Sequence, residues 1–176
     1  MKVFLACCFL CLGLAGCIPS EDSLDWLFGI KHNAVVLTSS PMELSQPEVG
    51  FTPSVEAKVV GKESRVCVVL SSGAPGAPWK DNENEGQRLL NGAKLAATVT
   101  TSDGATHEFR CQGTSWARSG RIVPANEIAI CLQPSCSKQA SPIGSTVKRV
   151  AIFSTAPVHA LGAYWDSTAA FDRSGN

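Results

Sequence analysis

The apolar residues of this chain come in short runs separated by turn residues, and this spacing limits the fold most strongly. Runs such as NAVVLTSS and RVCVVLSS are rich in β-branched residues, and each is followed by a Pro or a Gly. No stretch of the sequence keeps an apolar period of about 3.6 residues, although NEGQRLLNGA is long enough for one short helix. The sequence therefore predicts an all-β fold, an antiparallel β-sandwich of about seven or eight strands. A barrel gives the same strand pattern and stays open as an alternative.

Alternation within the runs predicts which faces are buried. Residues 55–61, VEAKVVG, alternate apolar with charged residues, as in a half-buried strand. The run at 66–70 is apolar throughout, which is typical of a strand covered on both faces. Near the C-terminus the same alternation places Trp165 in the core with Leu161 and Ala163.

The stretch KLAATVTTSDGATHEFRC predicts a hairpin whose register follows from its apolar residues. A two-residue loop at 103–104 would place these residues on opposite faces, whereas a three-residue loop at 102–104 gathers them on one face. We therefore predict the three-residue loop, with Gly104 in the left-handed conformation that such loops require. The predicted cross-strand pairs are Val99–His107, Ala97–Phe109 and Leu95–Cys111.

Residues 1–16 combine one positive charge, Lys2, with a short apolar run that ends before Pro19. A membrane-spanning helix needs about 20 apolar residues, and this run is shorter. We therefore interpret it as the core of a signal peptide that is removed from the mature protein.

The residues that end this run resemble the lipobox of bacterial lipoprotein precursors, which reads Leu, a small residue, Gly or Ala, then Cys. Leu14, Ala15, Gly16 and Cys17 match it at all four positions. The resemblance implies that Cys17 becomes the mature N-terminus and carries acyl chains such as palmitate, which anchor the protein stably when two or more are present. It also implies the outer membrane, facing the periplasm, because Ile18 stands where an inner-membrane lipoprotein tends to have Asp. The alternative is an ordinary cleaved signal peptide with an incidental Cys17.

The chain then divides into the leader 1–16, a lipidated N-terminus and tether at 17–32, and a single domain at 33–176. We expect an immunoglobulin-like or transthyretin-like sandwich for this domain, which is long enough for a sizeable core. Loss of Lys2 with the leader leaves 14 of the 15 basic residues against 15 acidic ones. This balance argues against a nucleic-acid partner and against a second, electrostatic contact with the membrane.

The cysteines that remain besides Cys17 predict two disulfides. Cys67, Cys111, Cys131 and Cys136 form an even set in an exported chain, and the bacterial periplasm is oxidising. Three pairings are possible, and we favour Cys131–Cys136 together with Cys67–Cys111, which would join a central strand to the hairpin. A zinc site is not expected, because only Cys131 and Cys136 are close in sequence and no His lies near them.

The sequence offers weak candidates for catalysis. Ser115 in GTSWARSG resembles a nucleophile elbow, but Ala117 stands where the elbow has Gly, so we interpret the stretch as a solvated turn. The three histidines, His32, His107 and His159, are isolated in sequence and lack metal-ligand spacing. We interpret His107 as a residue at the edge of the core with a satisfied hydrogen bond.

The acidic stretch DNENEG at 81–86 has the start of a calcium loop but not its end. An EF-hand loop requires a bidentate Glu at its last position, and Gly92 stands there. We interpret the stretch as a solvated acidic loop. The sequence therefore predicts no cofactor, no metal and no enzymatic activity.

The loop at 71–87 is the strongest candidate for a binding surface. It is long and rich in Gly and Pro, and loops of this size are often functional. Aromatic residues among charges are typical of interface anchors, and the alternative is that the tryptophan caps the edge of the sandwich. The candidate protein-binding residues are Trp79, Lys80, Asp81, Glu83, Glu85 and, in the GTSWARSG stretch, Trp116.

These observations favour a non-enzymatic interaction module, anchored by Cys17 and bound to a periplasmic protein. One concrete version is an immunity or inhibitor lipoprotein that neutralises a toxin or hydrolase, since anchoring concentrates an inhibitor where its target acts. The alternatives are an accessory lipoprotein of an envelope assembly and a cell-wall or carbohydrate-binding module that uses Trp79 and Trp116.

Overall fold

A computed structural model of the chain describes residues 31–45, 48–61, 63–71, 86–115, 127–134 and 143–169. Within these ranges the chain forms eleven β-strands, and residues 86–90 are helical. In chain order the strands are β1 (Lys31–Thr38), β2 (Met42–Leu44), β3 (Val49–Phe51), β4 (Ala57–Lys58), β5 (Glu63–Ser71), β6 (Leu95–Thr101), β7 (Thr106–Ser115), β8 (Glu127–Pro134), β9 (Thr146–Ser154), β10 (Val158–Ala160) and β11 (Gly162–Ala169). The predicted all-β fold is confirmed, and seven of these strands, β1, β5 to β9 and β11, have seven residues or more.

Most of the strands belong to one antiparallel sheet. Its order is β1-β11-β5-β8-β7-β6-β9, and β3 and β4 both pair with β9 at its far edge. The strands β2 and β10 form a separate antiparallel ribbon. The ribbon packs Leu44, Val158 and Ala160 against the interior of the sheet, where all three are buried.

The segment 56–60 brings the two edges of the sheet together. Lys58 belongs to β4 at one edge, and its backbone N–H donates to Oδ1 of Asn33 in β1, at the other edge, at 2.7 Å. The backbone N–H of Val60 donates to Oγ of Ser167 in β11 at 3.0 Å. These bonds nearly close the sheet into a barrel. The sequence prediction allowed for this, because a sandwich and a barrel have the same strand pattern.

The interior of the barrel is filled by side chains. Among the largest of them are Trp165, Phe109, Leu132, Ile130 and Ile152, all of which are fully buried. The rings of Phe109 and Trp165 meet edge to face with centroids 6.0 Å apart, which adds about 0.5–1.5 kcal/mol to the effect of burial. The indole N–H of Trp165 donates to the carbonyl oxygen of Lys58 at 3.0 Å, so its polar group is satisfied.

The strand β5 is buried on both faces, as its continuous apolar run predicts. Val66, Val68 and Leu70 belong to the interior cluster, whereas Cys67 and Val69 belong to a second buried cluster on the outer face of the sheet. The other members of this outer cluster are Ala129, Cys131 and Tyr164, with Leu161 packed against them.

The predicted hairpin is confirmed in its loop and in two of its three pairs. β6 and β7 pair Val99 with His107 and Ala97 with Phe109, but the ladder between them does not extend to the predicted pair Leu95–Cys111. The backbone N–H of Thr101 donates to the Ala105 carbonyl at 2.9 Å, which leaves a three-residue loop. Gly104 has a φ of 82°, as this loop requires.

The stretch NEGQRLLNGA, which is long enough for one short helix, is helical over residues 86–90. It ends where the backbone turns left-handed, with a φ of 49° at Asn91 and of 79° at Gly92. Leu90 is buried in the interior cluster and Leu89 packs against it, so the helix is held to the barrel by its apolar residues.

Several finer predictions are corrected by the structure. Leu161 does not share the face of Trp165 and Ala163 but packs on the outer cluster, because it precedes β11 and its backbone N–H bonds the carbonyl of Val69. Val55 is 61% exposed, since β4 begins at Ala57 and only the later part of the alternating run pairs with β9.

His107 is half-buried at the edge of the core, on the face that the hairpin register predicts. Its Nε2 is buried and has no hydrogen-bond partner within the part of the chain that the structure describes. The predicted satisfied hydrogen bond is therefore not found at this atom.

Candidate functional site

The outer face of four neighbouring strands, β1, β11, β5 and β8, carries the candidate site. The pairing registers place Val36 opposite Tyr164, Tyr164 opposite Cys67, and Cys67 opposite Cys131. These four residues therefore form one row across the outside of the barrel, because cross-strand partners share a face. An apolar cleft lies on one side of the row, and a polar pair, His32 and Asp166, lies on the other.

The centre of the row is a disulfide between Cys67 and Cys131. The favoured pairings Cys67–Cys111 and Cys131–Cys136 are therefore wrong. The reason lies in the strand order: β8, and not β7, is the neighbour of β5, so Cys131 is the residue directly across from Cys67. Cys111 lies in β7, where its backbone pairs with Gln133. The side chain of Cys111 and the whole of Cys136 lie outside the described part of the chain.

The cleft beside the disulfide has a volume of about 210 Å³. Its apolar walls are Val36, Val69, Leu161 and Tyr164, and the carboxylate-bearing Glu127 stands among them. Val36 is 44% exposed, whereas Tyr164 is fully buried, so the cleft runs from the surface down to the outer cluster. Its remaining lining residues are Thr38, Ser39, Gly162 and Ala163.

Gly162 is one of the residues that line the cleft, and it lies where β1 and β11 approach closely. It lies opposite Val69 and two residues before Tyr164, so a side chain there would point to the same outer face. A Cβ at this position would stand 2.7 Å from the carbonyl oxygen of Thr38, which is too close for any residue but glycine. The lack of a side chain at Gly162 therefore lets the end of β1 lie directly against β11, where both strands line the cleft.

Glu127 is the charged group of the cleft. It is half-buried at the start of β8, and no hydrogen bond or ion pair to it is found within the described ranges. A carboxylate that has lost part of its hydration beside apolar side chains is unfavourable unless a donor or a cation meets it. The site therefore combines an apolar surface with a carboxylate for which the described residues provide no cationic partner.

On the other side of the disulfide row, His32 and Asp166 form a close pair. Nε2 of His32 lies 2.6 Å from Oδ1 of Asp166, with 32% and 11% of the side chains exposed. Asp166 stands directly across from Arg65 of β5. The outer face is therefore polar at one end and apolar at the other, a division that suits a docking surface with a fixed orientation.

The other residues proposed from the sequence do not enter this site. The candidate binding residues Trp79, Lys80, Asp81, Glu83, Glu85 and Trp116 lie outside the described residues, as does the lipidation site Cys17. Ser115 ends β7, where its backbone pairs with Ala129, so it is the last residue of a strand and not part of a solvated turn. Among the described residues, no three His, Cys, Asp or Glu side chains are grouped so as to hold a metal ion.

Sequence reasoning missed the residues that do form the cleft. Val36, Glu127 and Tyr164 are far apart in the chain, and antiparallel pairing of strands that are not consecutive brings them together. The one local sign of the cleft in the sequence is Tyr164. It is adjacent to the buried Trp165, so its side chain must point to the opposite face of the strand. A tyrosine so placed indicates a second buried surface outside the core.

Comparison with known proteins assigns no family. No protein-family model matches the chain, and no curated protein shows significant sequence similarity to it. In the ranges that the structure describes, no helix has the length and apolar character needed to cross a membrane. The chain is therefore classified by its fold alone. It is an antiparallel all-β protein with a disulfide that joins two neighbouring strands.

Proposed function

We propose that this protein is a non-enzymatic, lipid-anchored interaction module that binds a protein partner through the outer face of its barrel. The observation that carries the proposal is the position of the cleft: it opens outward beside the disulfide, while the interior is filled by its own side chains. Because the interior is filled, a partner would bind on the surface of the barrel, and the outer face beside the disulfide is the surface that we propose. An exposed apolar side chain such as Val36, next to a carboxylate that has no partner among the described residues, is typical of an interface anchor.

Anchoring is the second part of the proposal, and it is supported by the lipobox at Leu14 to Cys17. Acyl chains on Cys17 would hold the barrel at the periplasmic side of the outer membrane. A tethered protein meets a partner at a high effective concentration, so moderate affinity is enough for function. This favours a role as an immunity or inhibitor lipoprotein that neutralises a toxin or hydrolase.

The test is capture of the partner by the protein purified as the cell produces it. The immobilised protein is exposed to periplasmic extract and to culture supernatant, and bound proteins are identified by mass spectrometry. The partner is then purified, and its stoichiometry, affinity and any enzymatic or toxic activity are measured. A single stoichiometric partner is expected, and a fall of its activity on binding would make the module an inhibitor.

A matched pair of variants shows whether the cleft is responsible. Val36 and Val55 are both exposed, at 44% and 61%, but only Val36 lines the cleft. Val36→Lys should weaken binding by roughly tenfold or more, because it places a long charged chain across an apolar anchor site. Val55→Lys should bind as the unchanged protein does. Equal affinity of both variants, or no partner under any growth condition, would contradict the proposal.

A further inference from the structure

The size of the cleft limits what it can hold. Pockets for drug-sized molecules have volumes of roughly 300–1,000 Å³, and this cleft, at about 210 Å³, is smaller. It has the capacity of one long side chain. If the proposed function holds, the occupant is therefore a single side chain that a protein partner inserts between β1, β11 and the start of β8.

The chemistry of the cleft limits the occupant further. The walls formed by Val36, Val69 and Leu161 suit an aliphatic stem, whereas the carboxylate of Glu127, which has no partner among the described residues, favours a positively charged group. An apolar side chain would leave the half-buried carboxylate without a partner, and an acidic one would be repelled by it. Only a side chain with an apolar stem and a cationic end satisfies both parts of the site.

We propose that the cleft is an arginine-binding site, in which the guanidinium of a partner's arginine pairs with the carboxylate of Glu127 and the stem packs on Val36 and Leu161. Arginine is preferred over lysine because its guanidinium is less strongly hydrated and can form two parallel hydrogen bonds with a carboxylate. Arginine is also among the residues that most often anchor protein interfaces. This inference rests on the proposed function and names the chemistry of the partner at the same site.

Tyr164 offers a direct reporter for the test. It is the single tyrosine of the chain and it lines the cleft, so biosynthetic labelling with 3-fluorotyrosine places one fluorine nucleus at the site. The full protein, purified as the cell produces it, is titrated with N-acetyl-arginine amide and followed by fluorine NMR. The neutral analogue N-acetyl-citrulline amide has nearly the same shape without the charge. We expect a saturable shift with the arginine probe and none with the citrulline probe over the same concentrations.

Two variants complete the experiment. Glu127→Gln keeps the size of the side chain but removes its charge, and it should weaken binding of the arginine probe about tenfold or more. Glu108→Gln is the control, because Glu108 is exposed on β7 and pairs with Arg110 outside the cleft. It should bind the probe as the unchanged protein does. A shift that is not saturable, that citrulline reproduces, or that survives Glu127→Gln would overturn the arginine assignment.

The result of the arginine-probe titration can be distinguished from the result of the partner-capture experiment that tests the proposed function. If a partner binds in a Val36-dependent manner and the arginine probe does not bind, the arginine assignment fails and the interaction module stands. If the probe binds and no protein partner is found, the cleft is an arginine site and the proposed function fails.

Discussion

Asp103 is the residue on which the turn between β6 and β7 depends. Its Oδ1 accepts hydrogen bonds from the Thr101 hydroxyl at 2.6 Å and from the Ala105 N–H at 3.1 Å. These donors hold the pKa of Asp103 below its usual value, with the bond from Thr101 as the largest cause. The carboxyl group of Asp103 ionises more readily in the folded state than in the unfolded chain. Its charged form therefore stabilises the fold.

We expect Asp103→Asn to destabilise the protein at neutral pH and to make less difference in acid. Because the folded pKa is lowered, the contribution of Asp103 is present above its ordinary pKa of 3.8 and is lost as the pH falls through the folded value. Urea unfolding of both proteins, followed by tryptophan fluorescence between about pH 7 and about pH 3, measures the difference. Glu108→Gln removes a charge from the same hairpin without touching the turn and is the control. A difference in stability that is constant across this range would contradict the account.

At the scale of elements, the barrel is closed by a short segment and not by a full ladder of two long strands. Asn33 contacts both sides of residues 56–58: its Oδ1 accepts the Lys58 N–H at 2.7 Å, and its Nδ2 lies 3.5 Å from the Glu56 carbonyl. Gly61 lets the segment lie against β11, since a Cβ there would overlap the backbone of Thr168 and Ala169. The side chains of Asn33 and Ser167, together with Gly61, therefore hold the segment between the two edges of the sheet.

Asn33→Ala should lower the free energy of unfolding by about 1 kcal/mol, the usual net value of such hydrogen bonds. Asn33→Asp keeps the oxygen that accepts the shorter bond, so we expect it to retain most of the stability. Amide hydrogen exchange at Lys58 should be faster in the alanine variant than in the aspartate variant. Identical exchange and stability in the two variants would show that Asn33 does not close the barrel.

The hairpin and the disulfide show where the sequence was informative and where it was not. The pairing of Val99 with His107 follows from contacts a few residues apart, where loop length and the apolar pattern leave one consistent register. The partner of Cys67 depends on which strand lies beside β5, and that neighbour comes from a distant part of the chain. Strand order of this kind is set by packing of the whole sheet, so neither the Cys67–Cys131 bond nor the cleft was predictable.

At the scale of the whole molecule, the disulfide joins the two central strands across 64 residues of sequence. A crosslink over a loop of this length restricts the unfolded chain and contributes about 2–4 kcal/mol. We expect the double variant Cys67→Ala and Cys131→Ala to lose roughly this amount in urea unfolding. An unreduced proteolytic digest should contain a peptide pair joined through Cys67 and Cys131, and a pair joined through Cys67 and Cys111 would contradict the structure.

The proposed anchor makes a separate prediction for the whole chain. Cys17→Ser removes the thiol that would receive the lipid, so the protein should move from the membrane fraction to the soluble fraction and lose the mass of its acyl chains. Detergent phase partitioning and intact mass spectrometry measure both changes. Unchanged partitioning of Cys17→Ser would show that the protein is not anchored through this residue.

The central claim is that the outer face of the barrel meets a protein partner at the cleft, and in-cell photo-crosslinking tests it most directly. A photoreactive phenylalanine analogue is placed at position 36, on the wall of the cleft, and in a matched strain at position 55, which is exposed and outside it. After illumination of living cells, we expect one discrete crosslinked species of higher mass from position 36 and none from position 55. Equal crosslinking from both positions, or none from position 36 under every growth condition, would contradict the account.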